Sequence, residues 1–170
     1  IQASTGKKTT YRELHEAALR LANVLRSAGI KPGDHVALCM ENHEKYLEVV
    51  WGCHYAGTIY TACSSRLTKA ELAYILNDCG AKAFITSKYK ADQARDVLAE
   101  TPNVSLRLML DGTIDGYEVF GSKVVYTSDL TAKNVSKVMM RLIGVDILTL
   151  GDHDILPLSA DLQAQVIESV

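Results

Sequence analysis

Residues able to do chemistry are sparse in this chain, and their spacing limits what they could do. Asp152, His153 and Asp154 fall together just beyond the apolar run VDILTL, residues 145–150. A loop at the carboxyl end of such a strand is where α/β sheets place ligands. Two carboxylates flanking an imidazole could bind a divalent metal or act as an acid/base pair, the chemistry of a metal-dependent phosphoesterase. One loop is only part of such a site, and no second chelating cluster occurs elsewhere in the sequence. A solvated turn that caps the strand is therefore the reading adopted. His15, His43 and His54 lack metal-ligand spacing to one another. His15, between Glu13 and Glu16, reads as a surface residue; His43, between Glu41 and Glu44, as a polar contact at a helix start; His54 as part of a mostly apolar helix. Cys39, Cys53, Cys63 and Cys79 form no C-x-x-C pair and sit in or beside apolar runs, which makes them buried free thiols rather than zinc ligands. Ser4-Thr5-Gly6-Lys7 has the look of a phosphate loop, but it precedes a strand and has no glycine at the Walker spacing. It reads as a frayed terminus. No pair of groups is poised for nucleophilic attack, so no catalytic, cofactor-binding or metal-binding residue is assigned.

Composition narrows the classes further. The 170 residues are one ordinary domain, or one and a fraction, with ample chain for a core. Apolar residues make up 48% and charged ones 22%, which is globular usage and not that of a disordered chain. A net charge of −2 with scattered Lys and Arg gives no reason to expect nucleic acid or an anionic membrane as partner. No segment reads as a signal peptide or a membrane span, and the expected location is cytoplasmic. The start without Met suggests a fragment or a trimmed chain.

The elements that must position these residues alternate. Thr9–Tyr11 can end a short strand. Thr10, with Glu13 three residues on, makes a capping box for a helix from Arg12 to Ala28, closed by Gly29 and Pro32. His35–Met40 is a buried strand, followed by a helix from about Glu44 to Ala56 that should bury Tyr46 or Leu47, Val50, Trp51 and Tyr55 before Gly57 closes it. Thr58–Thr61 is the next strand, apolar on both faces and so expected inside a layered core. Thr68 and Glu71 make a second capping box, with Leu72, Ile75 and Leu76 facing inward. Ala81–Thr86 is a strand, Ala91–Glu100 a helix and Val104–Leu110 a strand. In the tail, Val124–Thr127 and Val145–Leu150 read as strands, and Leu130–Ile143 and Ala160–Ser169 as helices. The expected fold class is α/β, alternating βαβ units with a mostly parallel sheet.

Several of these pieces occur in a familiar order. Thr10-Tyr11-Arg12-Glu13-Leu14, the Gly29-x-x-Pro-Gly-Asp turn ending at Asp34, Ala56-Gly57, and Arg66-Leu67-Thr68 with Glu71-Leu72 and Ile75-Leu76-x-Asp78 resemble the N-terminal portion of AMP-forming acyl-CoA synthetases, in the adenylate-forming superfamily. The likeness runs from about Thr10 to Phe120 and is nearest the fatty-acid-activating branch. Where the family often has proline and Asn or Asp, this chain has Ala62 and Ser64, which bears on the loop geometry and the subfamily.

The resemblance implies an N-terminal α/β lobe over residues 1–120, and it leaves 121–170 as an unmatched α/β tail that could complete the same domain. It implies ATP, Mg and coenzyme A for the full enzyme, with a fatty acid as substrate and the remainder of the adenylation domain, or a partner chain, as the lobe's partner. The family's phosphate loop, ribose-binding Asp and late catalytic Lys have no counterpart here. The chain by itself is thus expected to be an inactive fragment of a fatty-acid–CoA ligase, with no cofactor of its own. The alternatives are a non-catalytic binding module built on this lobe and, more weakly, a phosphoesterase using the loop 152–154. Trp51 with Tyr55 is expected in the core, where a nearby helix of the fatty-acid branch can border the acyl pocket.

Overall fold

The structure, a computed structural model, describes residues 6–121. Within them the chain runs α1 (Tyr11–Ser27), β1 (His35–Cys39), α2 (Tyr46–Ala56), β2 (Ile59–Cys63), α3 (Lys69–Asp78), β3 (Ala83–Ser87), a 3-10 turn (Lys88–Lys90), α4 (Ala91–Val97), β4 (Leu106–Leu110) and β5 (Glu118–Val119). The five strands form one sheet in the order β2-β1-β3-β4-β5, and every pairing is parallel. The α/β reading and its parallel sheet hold.

Local chemistry explains where the helices begin. Thr10 Oγ1 accepts the Glu13 amide while the Glu13 carboxylate accepts the Thr10 amide at 2.7 Å, and Thr68 and Glu71 repeat the exchange at the start of α3. Each box satisfies two donors that the helix cannot pair internally. The Thr10 cap also means that Thr9–Tyr11 does not end a strand: residues 6–10 are irregular, and Tyr11 already opens α1. At the other end of α2, Gly57 takes φ 75°, the left-handed conformation that lets Thr58 turn back and donate to Cys53 O.

Strands apolar on both faces are explained by two separate cores. Val36, Leu38, Ile85, Leu106, Leu108 and Leu110 meet Leu21, Leu25 and Val49 of α1 and α2 on one side. Ala37, Cys39, Phe84 and Met109 meet Leu72, Leu76 and Val97 of α3 and α4 on the other. The layers are therefore helix, sheet, helix.

Two packing expectations need correction. In α2 the buried face is Val49, Gly52, Cys53 and Ala56, not the larger set led by Trp51. Trp51 is 39% exposed, and of the pair Tyr46 or Leu47 it is Tyr46 that is partly buried against the core, as Tyr55 is, while Leu47 is 57% exposed. The small residues face inward because α1 lies directly against them, and bulk on that face would hold the helices apart. β2 likewise is not interior. The chain leaves β1 to one side for β2 and then crosses back past β1 to β3, which leaves β2 at an edge with Ile59 47% exposed. No helix among the described residues is long and apolar enough to cross a membrane. The tail elements, and the loop Asp152-His153-Asp154, lie outside the described residues.

Candidate functional site

The crossing back of the chain makes the gap between β1 and β3 the switch point of the sheet, the usual ligand crevice in this architecture. The polar residues there come from the first positions after each apolar strand. Glu41 and His43 follow β1, Ser64 follows β2, Ser87 ends β3 and Asp111 follows β4. The structure ties them to one another. Thr86 Oγ1 donates to Cys39 O at 2.7 Å, the Ser87 hydroxyl donates to the Glu41 carboxylate, and Cys39 Sγ donates to Ser64 O at 3.6 Å.

His43 closes the row. Its Nδ1 accepts the Lys45 amide at 3.1 Å, so the ring proton sits on Nε2, which donates to Asp111 Oδ2 at 2.7 Å. Asp111 holds φ 59°, a left-handed conformation tolerated by aspartate and few other side chains. Beside this contact lies a cleft of about 350 Å³ lined by Lys7, Thr9, Thr10, Tyr11, Leu14, His43, Glu44 and Leu47. Lys7 Nζ meets Glu44 Oε1 at 2.6 Å across it, and that carboxylate pushes the ammonium pKa upward.

This arrangement positions loops and offers little reactive chemistry. Ser87 with Glu41 resembles a hydroxyl beside a base, but Ser87 is 1% exposed and no substrate can reach its oxygen. Burial pushes the Cys53 and Cys63 thiols up to about 12 and the Cys39 thiol up as well, which keeps them protonated and poor nucleophiles. His15 donates to or accepts from Tyr55 Oη at 2.9 Å across the α1–α2 seam, and burial lowers its pKa. It is half-buried in a helix contact and not a free surface residue. His54 stacks edge-on against Tyr60.

Among the described residues no group of three His, Cys, Asp or Glu could hold a metal ion. Gly112 is filled by the Lys88 side chain and Gly116 by Leu98, so neither leaves a cradle for a phosphate. The described residues do not fit a nucleoside triphosphate or its magnesium ion. Of the sequence candidates, Lys7 and His43 share the cleft, while Cys39, Cys53 and Cys63 are core. Glu41, Ser87 and Asp111 were not singled out from the sequence. Their signal was slight: each is a polar residue at or just after the end of an apolar run.

A family model described as AMP-binding enzyme matches residues 1–140. The chain belongs to that family. This AMP-binding family member is 41% identical over 87 residues to a feruloyl-CoA synthase of Amycolatopsis sp, covering 51% of this chain and 18% of that protein. It is 32% identical over 126 residues to a medium/long-chain-fatty-acid–CoA/3-oxocholest-4-en-26-oate–CoA ligase of Mycolicibacterium smegmatis, covering 74% and 23%. Its fold superposes on a natural red-emitting luciferase of Phrixothrix hirtus with a TM-score of 0.63 at 21% identity, covering 83% of this chain and 31% of that one. The chain therefore spans less than a third of the length of each of these proteins.

Proposed function

We propose that this chain is the N-terminal α/β lobe of an AMP-forming fatty-acid–CoA ligase and is inactive by itself. The observation that carries this reading is the family match over residues 1–140 in a chain equivalent to 23% of a fatty-acid–CoA ligase. In the complete enzyme a fatty-acid carboxylate attacks the α-phosphate of ATP and expels pyrophosphate. The thiol of coenzyme A then displaces AMP from the acyl adenylate, forming the thioester. Charge moves onto phosphate oxygens in both steps, so such an enzyme needs backbone donors, a cation and a metal ion aimed at them. Among the described residues no group of three His, Cys, Asp or Glu could hold that metal ion. This lobe's role is to form one wall of the core against which the nucleotide-binding part packs, its carboxyl-edge loops held by the contacts around Glu41, His43 and Asp111.

Titration calorimetry of this chain with ATP, in the presence of Mg²⁺ and a long-chain fatty acid, tests the reading. No heat of binding and no exchange of labelled pyrophosphate into ATP are expected. Saturable binding or exchange would overturn the proposed inactivity and place a nucleotide site in this chain.

A further inference from the structure

We propose that His43 is an acid-sensitive clasp that holds the start of α2 to the exit of β4 and lets go of α2 when its ring takes up a second proton. Two loops that are 68 residues apart in sequence meet on this one ring. The imidazole is nearly enclosed, with its side chain 7% exposed. Only the neutral ring satisfies both contacts. Nδ1 must keep its lone pair to accept the Lys45 amide, while Nε2–H donates to Asp111.

A proton added at Nδ1 turns an acceptor toward a donor. The contact with Asp111 then strengthens into an ion pair, while the Lys45 amide loses its partner. Lys45 is the N-cap residue of α2, and no side chain of its own caps the helix. The Tyr46 amide also donates to His43 O, at 3.0 Å, so ring and backbone together organise that first turn.

The charged groups around the ring are Asp111, which Nε2 meets at 2.7 Å, and Lys45, two residues on. Lys7 and Glu44 share the cleft wall with His43 and are paired with each other, with Glu48 and Asp111 both within electrostatic range of Lys7. Glu41, two residues before, is committed to Ser87. Acid therefore leaves the Asp111 contact in place and opens the other one, loosening the His43–Glu44–Leu47 wall of the cleft.

Asparagine and glutamine separate the two contacts. Asn at this position presents an oxygen near the place of Nδ1, and Gln presents an amide nitrogen near the place of Nε2. Amide exchange at Lys45, corrected for its intrinsic pH dependence, is followed in the whole chain from pH 8 to 5. The expected result is a loss of protection of roughly three- to tenfold on acidification, the weight of one ordinary hydrogen bond. With His43→Asn the protection should not change with pH; with His43→Gln it should be low throughout. Unchanging protection in the parent chain would overturn the clasp, as would a pH response that survives in His43→Asn.

Discussion

Gly52 of α2 lies so close to α1 that a Cβ placed on it would stand 2.6 Å from Leu21 Cδ2 and 2.8 Å from Leu21 Cβ. The second distance matters more, because Cβ cannot swing away as a side-chain end can. Gly52→Ala should gain up to about 1 kcal/mol in helix propensity. It should lose roughly 1–3 kcal/mol to overpacking, so the net effect is destabilising. Urea denaturation of the single variant should show this loss. In a Leu21→Ala background the contacts with Cγ and Cδ2 are gone while that with Cβ remains, so the cost should shrink without vanishing, and an equal cost in both backgrounds would refute the contact.

The two capping boxes should be separable from the core. Thr68→Ala removes the hydroxyl that accepts the Glu71 amide and leaves every buried side chain in place. A loss of about 1 kcal/mol is expected, within the usual range for a threonine cap. Thr68→Ser should recover most of it. A loss that serine cannot recover would point to the threonine methyl group and not to the cap.

The same boxes predict a pH dependence. The bond from the Thr10 backbone amide, and then that from its hydroxyl, hold the Glu13 carboxyl below its ordinary range; Thr68 does the same for Glu71. A carboxyl lowered on folding contributes stability that is fully present above its unfolded pKa and is lost as pH falls through the lower folded value. Stability should thus decline on acidification through the carboxylate range. Glu71→Gln, which can still accept the Thr68 amide without titrating, should flatten part of that decline in urea melts taken between pH 7 and 3. An identical pH profile in the variant would exclude Glu71 as a contributor.

Thiol reactivity should follow burial. Cys39 and Cys53 are within 1% of full burial, Cys63 is 9% exposed and Cys79 is partly exposed at the end of α3. Ellman's reagent at pH 8 should label one thiol quickly in the folded chain, and that thiol should vanish in Cys79→Ser. The other three should react only in denaturant. Fast labelling of Cys53, whose pKa burial pushes to about 12, would contradict the packing of α2 against α1.

What could be read from the sequence was what short-range physics decides. Thr10 with Glu13, Thr68 with Glu71 and the αL glycine at 57 are bonds between residues at most four apart, so neighbouring residue types suffice to specify them. The alternation of helices with doubly apolar strands, and hence a parallel sheet, follows from periodicity in the same local way. The family was also legible, because its motifs are short and ordered.

Tertiary structure alone decided which surface each apolar residue meets. Nothing in IYTAC, residues 59–63, says that its strand lies at an edge, since that depends on the chain crossing back over β1. The pattern of α2 allows more than one inward face, and the choice of Gly52 over Trp51 is made by Leu21, thirty-one positions away in the chain. His43 and Asp111 became partners for the same reason. Each ends up beside the other because β1 and β4 flank β3, and strand order is an outcome of packing the whole sheet between its helices.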